Sequence, residues 1–242
     1  MAKRMIHNVG DLERTVLDLG FLPFFKNSME GFSVEELTSP ELWFEEGVDG
    51  PWEWKGPVIR NWKCTYGKFF SGRAGFVSLE WFPDFANYRR SCHPLENTLP
   101  NSNEHNREQF VYDTVVANES LLSKEIKNLC GFRKPKGQHL TPIEKELAKS
   151  IRKSQDSEGF ETVLTRLQMA TWIVIADFEY QYDKQGRTYG WGVARYTTPE
   201  ALFGDRIALL NRTPEESKTR ILHHLNQLLP SATEKQLVKF IG

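Results

Sequence analysis

Residues 177–196, DFEYQYDKQGRTYGWGVARY, set aromatic and polar side chains in near alternation on either side of the tetrapeptide DKQG. Alternation broken by a polar, glycine-containing turn predicts two antiparallel strands with a tight connection. The stretch follows GFETVLTRLQMATWIV (159–174), where Phe160, Val163, Leu164, Leu167 and Val174 share one helical face. A helix that runs straight into a hairpin, behind earlier helices, has the order of a winged helix-turn-helix. The expected fold is α+β and mainly helical. A winged helix-turn-helix fills the C-terminal half, behind an irregular, aromatic-rich N-terminal half.

Upstream of the hairpin, Phe110, Val111, Thr114 and Val115 predict one helix and SLLSKEIKNLCGF a second, capped at Ser120 or Ser123 and stopped at Gly131. In TPIEKELAKSIRK (141–153), Thr141, Pro142 and Glu144 make a strong helix start. Downstream, Thr213-Pro214-Glu215-Glu216 opens a long helix and TEKQLVKFI supplies a last one. The first half is less regular. A helix is expected over 9–22 with Gly20 as its stop, then loop-like chain over 31–54 carrying Trp43, Trp52 and Trp54. KCTYGKFFSGRAGFVS predicts a hairpin turning at Ser71-Gly72, and Pro83 argues against one long helix through WFPDFANYRR. The polar stretch 91–108 marks the expected boundary between an N-terminal region, 1–100, and a winged-helix region, 105–242. No internal repeat is evident.

A net charge of −1 over 242 residues gives no global attraction to nucleic acid or membrane, so any basic patch must be local. Residues 1–54 hold four basic and eleven acidic side chains; residues 55–91 reverse this, with seven basic against two acidic. The middle of the chain can present a basic face, or the acidic first segment can cover it. Cys64, Cys92 and Cys130 are widely spaced and odd in number, which predicts reduced thiols, no metal site and a cytoplasmic protein. The first residues are too charged for a signal peptide and no long apolar run exists, so no membrane partner is expected. GRAG and YGWG lack phosphate-loop spacing, and no cofactor is expected.

In the winged-helix reading the helix at 159–174 enters a DNA groove. Thr162, Thr165, Arg166 and Gln168 lie on its expected outer side, where forked Arg and Gln groups read base edges. Lys184 and Arg187 at the wing tip would meet phosphates. The bland alternative is a solvated helix face on a protein-interaction module. Tyr180, Tyr182, Tyr189, Trp191 and Tyr196 read as a cross-strand aromatic ladder rather than a base-stacking platform. In the first half Trp54, Lys55, Tyr66, Lys68, Arg89 and Arg90 combine aromatics with cations. That set suits a pocket for an extruded base or a phosphate, or an ordinary Trp-rich core with snorkelling cations.

LLSKEIKNLCGF, GFETVLTRLQMATWIV, VARYTTPEALF and FFSGRAGFVSLEWFPDFANYRR together resemble segments of the AlkZ/YcaQ-type DNA glycosylases, over roughly residues 52–90 and 110–205. The resemblance implies double-stranded DNA as partner and excision of alkylated or crosslinked bases as the family's chemistry. Those enzymes use a Gln-hydrophobic-Gln/Asp motif to handle the attacking water. Here Gln168-Met169-Ala170 lacks the polar third residue, and Gly72-Arg73 stands where the family-like segment would carry His-Glu. Catalysis is therefore not carried over, which points to an AlkZ-related group without the catalytic motif. Three functions remain open: a winged-helix nucleic-acid-binding protein related to DNA repair, a divergent glycosylase using Glu80 or Asp84, and a protein-interaction module.

Overall fold

The computed structural model describes residues 5–44, 49–95, 107–132, 159–182, 185, 188–207 and 210–242. The expected helix at 141–153 and the wing-tip residues Lys184 and Arg187 lie outside them. The first unit begins with α1, Val9–Leu19, which Asn8 caps by accepting from the Asp11 amide. The chain leaves that helix through Gly20 at φ 76° and enters β1, Phe21–Pro23, so the helix ends before the final Gly-Phe-Leu of its apolar pattern. Two helices follow where loop was expected: α2, Glu41–Phe44, and α3, Pro51–Arg60. Pro51 starts α3 with a preset φ, and the Glu53 carboxylate accepts from the Gly50 amide. Gly56 and Pro57 inside it obscure the helical signal.

Strands β2, Cys64–Phe70, and β3, Arg73–Ser78, form the expected hairpin, with Ser71 and Gly72 both at positive φ. Pro83 sits in the first turn of α4, Phe82–Cys92, where its missing N–H costs nothing, so one helix does run through this segment.

The second unit repeats the order of the first. It comprises α5, Arg107–Ala117, β4, Ser120–Leu122, α6, Ser123–Leu129, α7, Phe160–Met169, β5, Val174–Tyr182, and β6, Thr188–Thr197. Ser120 thus lies in a strand rather than capping α6. Both sheets are antiparallel, and their pairing orders, β1-β3-β2 and β4-β6-β5, are equivalent.

The correspondence extends to backbone detail. Gly20 and Glu119, both at positive φ, lead into the short strands. The Gly20 carbonyl accepts from the Ser78 amide at 2.8 Å, and the Glu119 carbonyl accepts from the Thr197 hydroxyl at 2.6 Å. Gly50 and Gly159 are the N-caps of α3 and α7, and twelve residues beyond each stands a left-handed residue, Trp62 or Thr171. An internal structural repeat is therefore present although no sequence repeat is visible, because apart from Gly50 and Gly159 these paired stations hold unlike residues.

The two units meet reciprocally. α3 packs on β5, α7 packs on β2, and β2 and β5 lie against one another. One core cluster joins Leu12, Trp54 and Tyr66 to Val163, Leu167 and Phe178 across this junction. The chain closes with α8, Pro199–Phe203, α9, Pro214–Leu228, and α10, Glu234–Ile241. The Thr213–Glu216 capping box forms as expected, and Thr233 with Gln236 makes another. Helix α9 lies against α4, and Ile221, Leu225, Leu237 and Phe240 share a core with Phe69, Phe82 and Phe85. Among the described residues no helix is long and apolar enough to cross a membrane.

Candidate nucleic-acid interface

Helix α7 is amphipathic because Phe160, Val163, Leu164 and Leu167 recur on one side, and all four are buried. The neighbouring unit covers a second side. Gln168, expected on the outer face, is fully buried and spans from α7 to β2: its Oε1 accepts from the Lys68 amide at 3.1 Å while Nε2 donates to the Leu164 carbonyl. Its amide is committed to two backbone groups, so it cannot read a base from this position. Thr165 is half-buried beside it; its hydroxyl accepts from Lys68 Nζ at 3.3 Å, and its methyl lies near Gly72 at the β2–β3 turn. What α7 still presents to solvent is a narrow stripe of Glu161, Thr162 and Arg166. Arg166 is ion-paired with Glu108 on α5, which holds its guanidinium beside the helix start. At the hairpin tip Gln185 is exposed.

The six residues proposed for a pocket do not converge. Trp54 is 1% exposed and fills core between the units. Tyr66 packs edge-on against Phe178 at 5.8 Å and tilted on Phe76 at 4.7 Å, and burial drives its phenol pKa upward. Lys55 belongs to the same cluster, with its ammonium 4.7 Å from the Trp52 ring centre and 4.3 Å from that of Phe178. Lys68 lies apart, 3.9 Å from Glu161 and bonded to Thr165.

Arg89 is buried elsewhere, donating to the Phe69 carbonyl at 2.9 Å beside the Phe85 ring. Arg90 stacks 4.3 Å over Trp172, pairs with Glu200 and donates to the Thr171 carbonyl. The set therefore divides among four places. Burial of Trp54, Tyr66 and Arg89 follows from their use as packing between elements, which residue type alone does not reveal.

The basic run 55–91 is likewise dispersed. Arg60 pairs with Asp177 at 2.7 Å, Lys63 with Glu13 at 2.6 Å, and Arg73 donates to the Lys26 carbonyl. Among the described residues Lys63 pairs with a carboxylate of the acidic first segment, Arg60 and Lys68 with carboxylates of the second unit, and Arg90 with Glu200 on the later helix that begins at Pro199. The local excess of charge serves the junction between units rather than an open basic face.

Asp84 is fully buried, and both its oxygens are taken: Oδ1 accepts from Arg212 Nε and Ser217 Oγ, each at 2.8 Å, and Oδ2 from Arg212 at 3.1 Å and Arg220 at 2.5 Å. Arg220 also stacks 3.8 Å over Trp81, whose ring lies 4.0 Å from that of His224. An open cleft of about 690 Å³ passes these groups, lined also by Glu215, Glu216, His223 and Gln227. With its lone pairs filled, Asp84 has no place for a catalytic water. Sequence reasoning missed this cluster, because Arg212 and Arg220 lie more than a hundred residues from Asp84.

None of the curated proteins matches the chain. Among solved structures, the Streptomyces sahachiroi DNA glycosylase AlkZ is similar at 13% identity and a TM-score of 0.47. That likeness covers 100% of this chain and 60% of the other, so the chain spans well under the full length of that protein. The sequence profile described as AlkZ related matches residues 6–242. The chain therefore belongs to the AlkZ-related family.

Proposed function

We propose that this chain is a winged-helix DNA-binding protein acting in DNA repair, with α7 as the groove helix and the β5–β6 turn as the wing. The observation that carries the reading is the pairing order β4-β6-β5 behind α5, α6 and α7, which places a helix directly before a long hairpin. Membership of the AlkZ-related family supports repair as its setting. Thr162 and Arg166 are the α7 side chains in position to meet DNA, and Lys184 and Arg187 complete the contact from the wing. Thr165 and Gln168 act from beneath, holding α7 on β2. So few exposed base-reading groups on α7 favour contact of that helix with phosphates and sugar over sequence readout. The glycosylase alternative needs an acid–base group free to position water. Saturation of Asp84 counts against that residue, so the glycosylase alternative falls to Glu80, which is exposed and 3.7 Å from Arg220.

The test is fluorescence-anisotropy titration with labelled duplex DNA, intact and abasic, at two salt concentrations. Salt-sensitive binding weakened by Arg166→Ala supports the assignment, and preference for the abasic duplex supports repair. Absence of binding to either duplex at low salt refutes it and favours a protein-interaction module.

A further inference from the structure

Lys55 poses a problem that packing does not solve. It stands five residues beyond Gly50, the N-cap of α3, and the corresponding station on α7, five residues beyond Gly159, is Leu164. Leu164 is 1% exposed and Lys55 is 7% exposed, so the station is a core position in both units. An aliphatic side chain satisfies it in one repeat; in the other an amine occupies it. That amine lies between the Trp52 and Phe178 rings, at the junction of α3 with β5. Ring faces favour a cation but accept no ordinary hydrogen bond from its three N–H groups.

We propose that Lys55 is a nucleophilic amine that condenses with the ring-opened aldehyde of a deoxyribose phosphate. Its lone pair adds to the aldehyde carbon, both amine hydrogens leave with the carbonyl oxygen as water, and a carbon–nitrogen double bond remains. No oxidant or metal is required. Burial lowers the Lys55 pKa to about 8, against a smaller opposing effect of Glu53. At pH 7.5 about a quarter of such an amine is unprotonated, whereas an ordinary lysine is unprotonated at roughly one part in a thousand. Unprotonated lysines held in apolar surroundings are the ones that form imines.

Access lies along the same junction. The Arg60–Asp177 pair also joins α3 to β5; it is 48% and 36% exposed, and a pair so solvated holds the two elements weakly. The proposed reaction requires α3 and β5 to part at this junction, baring the amine between the Trp52 and Phe178 rings.

The choice of a deoxyribose aldehyde rests on the DNA reading above, whereas the reactivity of Lys55 does not, and the experiment separates them. Protein is incubated at pH 7.5 with 2-deoxyribose 5-phosphate and cyanoborohydride, and the adduct is located by peptide mass spectrometry. Labelling of Lys55 at least tenfold above exposed Lys124 is expected, with loss of that adduct in Lys55→Leu, a variant whose fold the Leu164 station supports. A second arm uses a duplex with one abasic site. A crosslink that Lys55→Leu abolishes and Lys124→Ala leaves intact supports both proposals. A deoxyribose phosphate adduct at Lys55 without duplex binding upholds the nucleophile and refutes the DNA-binding role. Labelling spread evenly over lysines and unchanged in Lys55→Leu overturns the proposal, whatever the duplex does.

Discussion

Lys55 and Leu164 occupy equivalent stations on α3 and α7, both in the core, although one carries a charge and the other does not. The pair makes the energetic cost of the amine directly measurable, because the second unit supplies the side chain that the first one lacks.

Lys55→Leu is expected to stabilise the protein at pH 7 by about 1–3 kcal/mol, the scale set by a pKa lowered by two units or more on burial. The sign follows from proton linkage. The folded protein releases the Lys55 proton near pH 8, below the unfolded value, so the unfolded chain binds more protons in between. The wild type therefore gains stability as pH rises from about 8 towards 10.5, and the advantage of the variant shrinks over the same window. Urea unfolding at pH 7 and pH 10 measures this; an equal advantage at both values contradicts it.

Gln168→Ala removes the acceptor of the Lys68 amide and leaves a gap between α7 and β2. A loss of about 1–3 kcal/mol is expected from the abandoned backbone donor and the lost packing. Duplex affinity, corrected for the folded fraction, should stay unchanged. A specific loss of affinity in a fully folded variant would restore Gln168 to the DNA-contacting face.

Asp84→Asn keeps the shape of the side chain but removes the charge that faces Arg212 and Arg220. The arginines left behind are 41% and 32% exposed and so partly solvated, which sets the expected loss at about 1–3 kcal/mol. Arg212→Ala should cost less, because Arg220 and Ser217 still hold the carboxylate. Thermal unfolding of the two variants ranks them, and the opposite order refutes the account.

Arg166→Ala should lower duplex affinity and reduce the slope of log affinity against log salt by about one, as for the loss of one phosphate contact. Stability should change little, since the Arg166–Glu108 pair is partly exposed. An unchanged slope would place the DNA contact away from α7.

Hairpin positions, the Thr213 cap and the order helix–hairpin were legible in the chain, whereas the α6 cap was not: Leu122 stands there, with Ser120 in a strand and Ser123 inside the helix. Ser71-Gly72 turns, the Thr213 capping box forms, and strands β5 and β6 follow the helix at 160–169. Helix α3 was not legible, since Gly56 and Pro57 break its signal while tertiary packing of Trp54, Val58 and Ile59 overrides it. The proposed DNA-contacting residues were only partly legible. Thr162 and Arg166 are on the expected face, but helical periodicity distinguishes one buried side from one exposed side and cannot reveal a second covering element.

Elements with local causes can be read from the chain alone: a cap bonded three residues on, a turn of two left-handed residues, an apolar stripe within one helix. Tertiary structure alone decided that the units repeat, that Gln168 meets Lys68 across 100 residues, and that Lys55 lies against Phe178 of the other unit. The physical reason is range. Capping and periodicity depend on neighbours within about four residues, whereas burial of a given side chain depends on which distant strand closes over it.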